Sequence, residues 1–304
     1  MASPKIGLAL GSGVARGWAH IGVLQALEQN GIVPDIICGT SIGALVGGAY
    51  LANHLQTLAD WAMSLNRMRL VRYLDVQFGG GGLIAGRRLT ALLQENLQGI
   101  AIESLKKPFV AVTTELSTGH EYWVQKGSLV DALRASYALP GVFAPVQIDS
   151  RWLVDGALVN PVPVSVCRAL GARLVIAVNL NADVFGKSRV SGAKPGDKGT
   201  SYAEEPGLEA LTGRPGNIVM RQLFGHDKSG PSMFSVMVGS LNIIQDRLSR
   251  SRLAGDPPDV VVAPRLGNIG LLEFHRAEEA IAEGILAVER AMPGMKDALA
   301  VLST

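Results

Sequence analysis

The chain has 304 residues, of which 48% are hydrophobic and 18% charged, and its formal net charge is +2. This hydrophobic fraction excludes a chain that is disordered throughout, and the length suits one large α/β domain or two small ones. The near-neutral charge gives no reason to expect a nucleic-acid partner. With two cysteines in apolar stretches and no long apolar region near the N-terminus, a reducing, cytoplasmic location is expected.

Strands and helices alternate over short connections at the start of the chain. Residues 5–10 predict a buried strand, residues 11–17 a Gly-rich turn, and the helix after it stops at Asn30-Gly31. Residues 35–38 predict a second strand, which a helix rich in small residues follows. This βαβα order is typical of a parallel sheet with helices on both faces.

Further elements follow as far as residue 178. We expect helices around 55–73, 89–97, 129–137 and 163–170, and strands at 109–114, 121–124 and 174–178, with two short strands around Arg151. A flexible Gly79-Gly80-Gly81-Gly82 segment separates the helices predicted at 55–73 and 89–97, and residues 140–145 break regular structure.

The composition changes after this core. Residues 185–231 contain nine glycines and four prolines and predict a long mobile loop. The next predicted helix has an apolar stripe formed by Met233, Met237, Leu241, Ile244 and Leu248. Its C-terminal end is basic and carries Arg247, Arg250 and Arg252. Packing of the stripe on the core is the favoured interpretation, and docking on an anionic membrane is the alternative. A strand at 260–263 and a helix at 273–292 close the chain.

A Gly-x-Ser-x-Gly pentapeptide, Gly39-Thr40-Ser41-Ile42-Gly43, joins the second predicted strand to its helix. A serine in a tight strand-to-helix turn projects its hydroxyl from the end of the sheet. The flanking glycines, Gly39 and Gly43, permit the strained backbone and keep the approach clear. Ser41 is therefore a candidate nucleophile, with an ordinary Gly-rich turn as the alternative.

A serine nucleophile needs a base at neutral pH. The α/β-hydrolase order of serine, acid and late histidine leaves only His226 and His275, one in the Gly-rich loop and one inside a predicted helix. Neither position suits a catalytic histidine. Asp155 instead follows an apolar strand and precedes Gly156, and a carboxylate in a water-poor cleft has a raised pKa and accepts a proton directly. The alternative for this Asp-Gly pair is a plain turn.

The first Gly-rich turn, Gly11-Ser12-Gly13-Val14-Ala15-Arg16-Gly17, opens a helix. Backbone amides at such a position favour negative charge and suit the oxyanion of a tetrahedral intermediate. A dinucleotide-binding turn is the rival interpretation. It is weakened because Arg16 occupies the third glycine position and no acidic residue ends the second strand.

Together these segments resemble the patatin-like phospholipase family, from about residue 5 to 178. Four motifs carry the resemblance in the family's order: the turn Gly11 to Gly17, the Ser41 pentapeptide, residues 136–145 (Ser-Tyr-Ala-Leu-Pro-Gly-Val-Phe-Ala-Pro) and Asp155-Gly156-Ala157. Within the family the chain looks most like the compact bacterial RssA-like branch, which is related to the catalytic module of neuropathy target esterase.

The resemblance implies a three-layer αβα sandwich with a mostly parallel central sheet, in one domain spanning residues 1–304. Its core would cover about 5–182, and a C-terminal helix-strand-helix segment about 232–304. It also implies a Ser41-Asp155 dyad and an oxyanion hole from the amides of Gly13 and Val14, with Arg16 close by. The family usually has three glycines where this chain has Ser12-Gly13-Val14. Because a β-branched residue does not easily adopt a positive φ, Val14 bears on the turnover rate.

The implied function is hydrolysis of lipid or fatty-acyl esters, of the lysophospholipase, phospholipase A or carboxylesterase type, through an acyl-enzyme. No cofactor, metal or nucleic acid is expected, and contact with the inner face of a membrane is possible. Two alternatives stay open: a regulatory or binding protein that keeps the fold with little turnover, and a nucleotide-binding protein that uses the first Gly-rich turn.

Overall fold

The computed structural model describes residues 5–66, 87–183 and 233–303. The Gly79 to Gly82 segment and the predicted loop at 185–231 lie outside the described residues, as does the end of the helix predicted at 55–73. Among the described helices, none combines the length and the apolar character needed to cross a membrane.

One sheet contains all eight strands of the described residues. They are β1 (Ile6–Leu10), β2 (Ile36–Thr40), β3 (Phe109–Glu115), β4 (Glu121–Val124), β5 (Val146–Ile148), β6 (Arg151–Asp155), β7 (Leu174–Val178) and β8 (Val260–Val262). The order across the sheet is β5-β6-β3-β2-β1-β7-β8, and β4 pairs with β3 off this path. The strands from β3 to β8 along this order are parallel, and β4, β5 and β6 form the antiparallel pairs.

Helices cover both faces of the sheet. They are α1 (Ala19–Gln29), α2 (Ile42–Leu51), α3 (Leu55–Ser64), α4 (Arg87–Leu97), α5 (Leu129–Ser136), α6 (Val164–Ala169), α7 (Met233–Gly255) and α8 (Ala277–Ser303). Short 3-10 turns occur at Val14–Trp18, Ile102–Ser104, Gly156–Leu158 and Phe274–Arg276. The predicted strands and helices of residues 5–178 are confirmed to within a few residues, apart from the end of α3.

Two hydrophobic cores follow from the alternation of side chains along the buried strands. Leu8 and Leu10 of β1 pack in one core with α1, α2, α5 and α8. Ala9, which points to the opposite face, packs in the other core with α6. The arrangement is the predicted three-layer αβα sandwich.

Strands β2 and β6 pair with successive parts of the same edge of β3, and this pairing determines where the candidate site lies. β4 pairs with the middle of β3 on one edge, so β2 and β6 must both lie on the other. β2 pairs with β3 as far as Val112, which is opposite Thr40. β6 takes over at Thr113, which is opposite Asp155. The ends of β2 and β6 therefore meet, and Asp155 lies beside the residue that follows Thr40.

The last helix is longer than predicted. We expected it over 273–292, but α8 runs from Ala277 to Ser303 and continues through Pro293. It packs closely on α1, because a Cβ on Gly284 would overlap the carbonyl of Ala19 and one on Gly22 would overlap that of Ile281. Contacts with α1 thus hold α8 against the sheet.

The favoured interpretation of α7 is wrong in one respect. Ile244, expected to pack on the core, is 52% exposed, while the buried side chains of this helix are mostly polar. A stripe of period 3.6 shows that a helix is amphipathic but not which of its faces meets the protein. Met237 does contact the protein, at Gly141.

Candidate active site

Ser41 forms a strained elbow between β2 and α2. Its backbone has φ 58° and ψ −124°, a conformation that non-glycine residues adopt at an energetic cost. The two flanking glycines are required by close approach: a Cβ on Gly39 would overlap the backbone of Ala44, and one on Gly43 would overlap the carbonyl of Leu10. The Gly-x-Ser-x-Gly spacing thus serves the turn itself.

The hydroxyl of Ser41 donates a hydrogen bond to Asp155 Oδ2 over 2.7 Å. Both side chains are buried, with Asp155 2% and Ser41 6% exposed. The other carboxylate oxygen of Asp155 accepts from the amide of Ala157 at 2.8 Å. Between them, a Cβ on Gly156 would overlap the Val112 carbonyl, so the Asp-Gly pair is required for the strand end to approach β3. The structure thus brings the predicted nucleophile and base together.

Burial raises the pKa of Asp155 to about 7, although its hydrogen bonds with Ala157 and Ser41 lower it. Removing a carboxylate from water disfavours its charged form, and no cationic side chain is among the causes of the shift. A carboxylate with a pKa in this range is well matched to proton transfer at neutral pH. The Ser41 hydroxyl thus donates to the one strongly perturbed aspartate within the described residues.

The hydroxyl of Ser136, at the end of α5, bridges the elbow and β3. It accepts from the Ser41 amide at 2.9 Å and donates to the Val112 carbonyl at 2.7 Å. Ser136 is fully buried. Because this bridge links the residue directly after β2 to β3, it holds the backbone of the nucleophile in place. Ser136 lies within the motif at residues 136–145, but the sequence predicts no role for it, because its partners are 24 and 95 positions away.

The first Gly-rich turn lies directly beside the elbow. A Cβ on Gly17 would overlap the side chain of Ile42, the residue after Ser41. A Cβ on Gly11 would lie 2.7 Å from the Val178 carbonyl, and one on Gly13 would lie 2.6 Å from Leu180 Cδ1. Close packing therefore explains the three glycines without a dinucleotide.

Val14 adopts the left-handed conformation, with φ 52°, although we expected a β-branched residue to resist it. The amides on either side of the pair Gly13-Val14 are occupied: that of Ser12 donates to Pro161 and that of Ala15 to Leu271. Within the described part of the chain, the amides of Gly13 and Val14 themselves donate to no protein acceptor. The turn, which packs on the elbow through Gly17, thus contains two adjacent N–H groups without a protein acceptor in the described residues.

Two buried side chains hold this turn. The Nε2 of His20 lies 2.7 Å from the Gly11 carbonyl, and because a carbonyl only accepts, Nε2 carries the proton. Burial lowers the pKa of His20 to about 4, so the ring is neutral at physiological pH. The Nε of Arg16 donates to the Ile269 carbonyl at 2.8 Å, which ties the turn to the segment before α8. A part for Arg16 in an oxyanion hole stays a prediction.

The predicted site residues thus converge at the carboxyl edge of β1, β2 and β6. Sequence reasoning missed Ser136, His20 and the contribution of α7, whose Gln245 accepts a 3.4 Å hydrogen bond from the Ser12 hydroxyl. His20 lies three residues after the Gly-rich turn in the sequence, and this proximity was the one signal that it could contact the turn. Gln245 lies 233 positions from Ser12, and no local pattern connects them.

One family model matches a segment of this chain that contains the candidate site. The model for patatin-like phospholipases matches residues 8–168, which include the Gly-rich turn, Ser41 and Asp155. An uncharacterized NTE family protein of Mycobacterium tuberculosis is 35% identical over 325 aligned positions, covering 93% of this chain and 89% of that protein.

Larger animal proteins match over a shorter segment. Human patatin-like phospholipase domain-containing protein 6 is 34% identical over 184 positions, covering 58% of this chain but 13% of that protein. Neuropathy target esterase sws of Drosophila melanogaster is 32% identical over 185 positions, covering 59% of this chain and 13% of that protein. Among solved structures, VipD from Legionella pneumophila gives a TM-score of 0.43 at 12% identity, over 95% of this chain and 67% of that one. By its family match and its near full-length relatives, this chain belongs to the patatin-like phospholipase family.

Proposed function

We propose that this protein is a serine hydrolase of lipid carboxylic esters that uses Ser41 as nucleophile and Asp155 as base. One observation carries the proposal: the hydroxyl of a serine on a strained elbow donates over 2.7 Å to a buried carboxylate whose pKa is raised to about 7. That pair supplies a nucleophile and a proton acceptor without a histidine.

The proposed reaction has two halves. Ser41 Oγ attacks the ester carbonyl carbon while its proton passes to Asp155. The tetrahedral intermediate then collapses, and the alcohol leaves with the proton from Asp155. Water attacks the acyl-enzyme in the same way, giving its proton to Asp155, and the fatty acid leaves as Ser41 Oγ takes that proton back. Asp155 acts as base and then as acid in each half.

The oxyanion of both intermediates needs donors that are already in place. We assign this role to the amides of Gly13 and Val14, which have no protein acceptor within the described residues. The packing of Gly17 on Ile42 places their turn beside the nucleophile. The lipid ester as substrate is supported by the family and by relatives named as phospholipase-domain proteins and an esterase.

Activity-based labelling tests this proposal. A fluorophosphonate probe should label the wild-type protein and leave Ser41→Ala unlabelled, while Ser104→Ala, an exposed serine, should be labelled normally. Asp155→Asn should label far more slowly. A panel of lysophospholipid, phospholipid and short-chain esters would then define the substrate class. Labelling of Ser41→Ala at the wild-type rate, or full activity in either site variant, would exclude the dyad.

A regulatory or binding protein with little turnover is the second candidate, and the strained φ of Val14 favours it. Under this alternative the protein folds normally, the probe does not label Ser41, and no ester in the panel is hydrolysed above the rate of Ser41→Ala. The same two measurements therefore distinguish the candidates.

A further inference from the structure

Helix α7 is amphipathic in the reverse sense. Its buried side chains include the polar Asn242, Gln245, Asp246 and Ser249. Its exposed side chains include three large aliphatic residues, Val236, Ile243 and Ile244, at 51%, 45% and 52% exposure. A helix on the surface of a water-soluble protein normally buries its apolar face and exposes its polar face. Among the described residues, the outer face of α7 therefore exposes aliphatic side chains.

The outer face is also basic. Arg247 and Arg250 are exposed and follow the two isoleucines within the next two turns. Asp246 is the only acidic residue in α7, and it is buried and accepts from Arg250 Nε at 3.0 Å. The exposed surface of this helix thus presents aliphatic and cationic groups and no carboxylate.

Three contacts place α7 across the edge of the sheet where the candidate site lies. Met237 touches Gly141, Gln245 accepts from Ser12, and Arg252 Nε donates to the Val159 carbonyl at 3.1 Å. Ser12 precedes Gly13 in the Gly-rich turn, and Val159 follows the 3-10 turn that begins directly after Asp155. The inner face of α7 therefore contacts segments next to the site, and the outer face points away from the described residues of the sheet.

A second group of exposed apolar side chains lies at the carboxyl end of β3. Leu116, 56% exposed, directly follows β3, and its amide donates to the carbonyl of Trp152, which is 52% exposed. With the three aliphatic residues of α7, this pair makes up half of the ten large exposed hydrophobic side chains of the described residues. Leu116 and Trp152 thus lie directly after β3 and on β6, the two strands whose pairing positions Asp155.

We propose that the outer face of α7, together with Leu116 and Trp152, docks the protein on an anionic phospholipid bilayer. This inference rests on the proposed function, since a lipid ester substrate resides in such a surface. Aliphatic side chains enter the boundary between headgroups and acyl chains, arginines pair with anionic headgroups, and tryptophan favours this interface. Exposed arginines without exposed carboxylates on α7 complement the charge of an anionic lipid surface.

Vesicle sedimentation tests the docking separately from catalysis. Full-length Ser41→Ala protein, which leaves the lipids intact, should sediment with vesicles of phosphatidylcholine and phosphatidylglycerol and much less with phosphatidylcholine alone. Adding Ile243→Ser and Ile244→Ser should reduce the bound fraction about tenfold. The matched control adds Leu286→Ser and Val301→Ser, two exposed positions on α8, and should bind normally. Arg247→Gln should weaken binding to the anionic vesicles only.

Hydrolysis of a water-soluble short-chain ester separates the two proposals. In the active background, Ile243→Ser with Ile244→Ser should leave this hydrolysis unchanged and slow hydrolysis of vesicle lipids. If no ester is hydrolysed but sedimentation follows the pattern above, the proposed function fails and the docking stands. Equal sedimentation of the α7 pair and the α8 pair, or no binding to anionic vesicles, would overturn the docking. So would an effect of the α7 pair confined to self-association in sedimentation velocity, because the face would then join two copies of the chain.

Discussion

The carboxylate of Asp155 accepts a 2.7 Å hydrogen bond from the hydroxyl of Ser41, although the two residues are 114 positions apart. The contact depends on β3, which pairs with β2 and then with β6 along one edge. The two strand ends meet there, and the elbow after β2 turns the serine towards the end of β6. The geometry of the pair is therefore built into the sheet.

A first prediction concerns the dependence of activity on pH. Since Asp155 must be ionised to accept a proton and its pKa is raised to about 7, kcat/KM for a soluble ester should rise through one limb near pH 7. His20 does not contribute, because its pKa of about 4 keeps it neutral throughout this range. A limb near 3.8, the ordinary aspartate value, would show that burial does not perturb the acting base.

A second prediction links the same residue to stability. Between pH 3.8 and about 7, folded Asp155 holds a proton that the unfolded chain has released, so its contribution to stability is lost as the pH rises. Asp155→Asn mimics the protonated form. It should melt several degrees above wild type at alkaline pH, since about 1 kcal/mol corresponds to roughly 2–4 °C in a large domain.

The same variant should lose activity by about 10²- to 10⁴-fold, the usual contribution of general acid-base catalysis. Its melting temperature should approach that of wild type at acidic pH, where both side chains are neutral. Asp131→Asn, at a half-exposed position in an ion pair with Arg134, is the control and should change neither property by much. A lower melting temperature of Asp155→Asn at alkaline pH would contradict the proposed cause of the pKa shift.

How much the sequence predicts depends on the range of the interaction. Ser41 and Asp155 each lie at a strand end followed or flanked by glycine, and such local patterns are readable without a structure. Their contact was then expected from the family resemblance. Ser136 has no comparable signal, since its hydroxyl joins residues 24 and 95 positions away.

The two C-terminal helices, α7 and α8, show two further limits of prediction from the sequence. The period of apolar residues predicts that α7 is a helix, but burial of Asn242 and Gln245 and exposure of Ile244 depend on where the helix lies on the sheet. In α8, Pro293 is a reasonable place to end a helix, yet the helix continues to Ser303. In both cases tertiary contacts decide what the local sequence leaves open.

A third prediction tests the Ser136 bridge. Ser136→Ala leaves the buried amide of Ser41 and the carbonyl of Val112 without this partner, which should cost about 1–3 kcal/mol of stability. Displacement of the elbow should lower kcat by roughly 10- to 100-fold with KM little changed. Ser136→Cys, which keeps the size but has a weak donor and acceptor, should give intermediate values.

Ser128→Ala is the matched control for this series. Ser128 is the N-cap of the same helix α5 and accepts from the Asp131 amide at 3.2 Å, so its loss should cost about 1 kcal/mol. Because Ser128 does not touch the elbow, kcat should stay at the wild-type value. Equal effects of the two variants on kcat would show that Ser136 acts through the stability of α5 alone.

A fourth prediction concerns the strained backbone of Val14. At φ 52° a residue with a Cβ is penalised by about 1–2 kcal/mol, and glycine is not. Val14→Gly should therefore be more stable than Val14→Ala by about 1 kcal/mol, the reverse of the order in a helix interior. Because the valine already has the positive φ that glycine would adopt there, turnover by Val14→Gly should stay within about twofold of wild type under the proposed function.

Ser150→Gly provides the control, since Ser150 also has a positive φ, 65°, in the turn between β5 and β6. It should show a similar change in stability with no change in turnover. A large rise in turnover for Val14→Gly alone would mean that valine distorts the oxyanion hole. In that case the side chain at position 14 would limit the rate, and the low-turnover alternative would gain support. Stability and turnover measured on the same three variants therefore distinguish backbone strain from a misplaced amide.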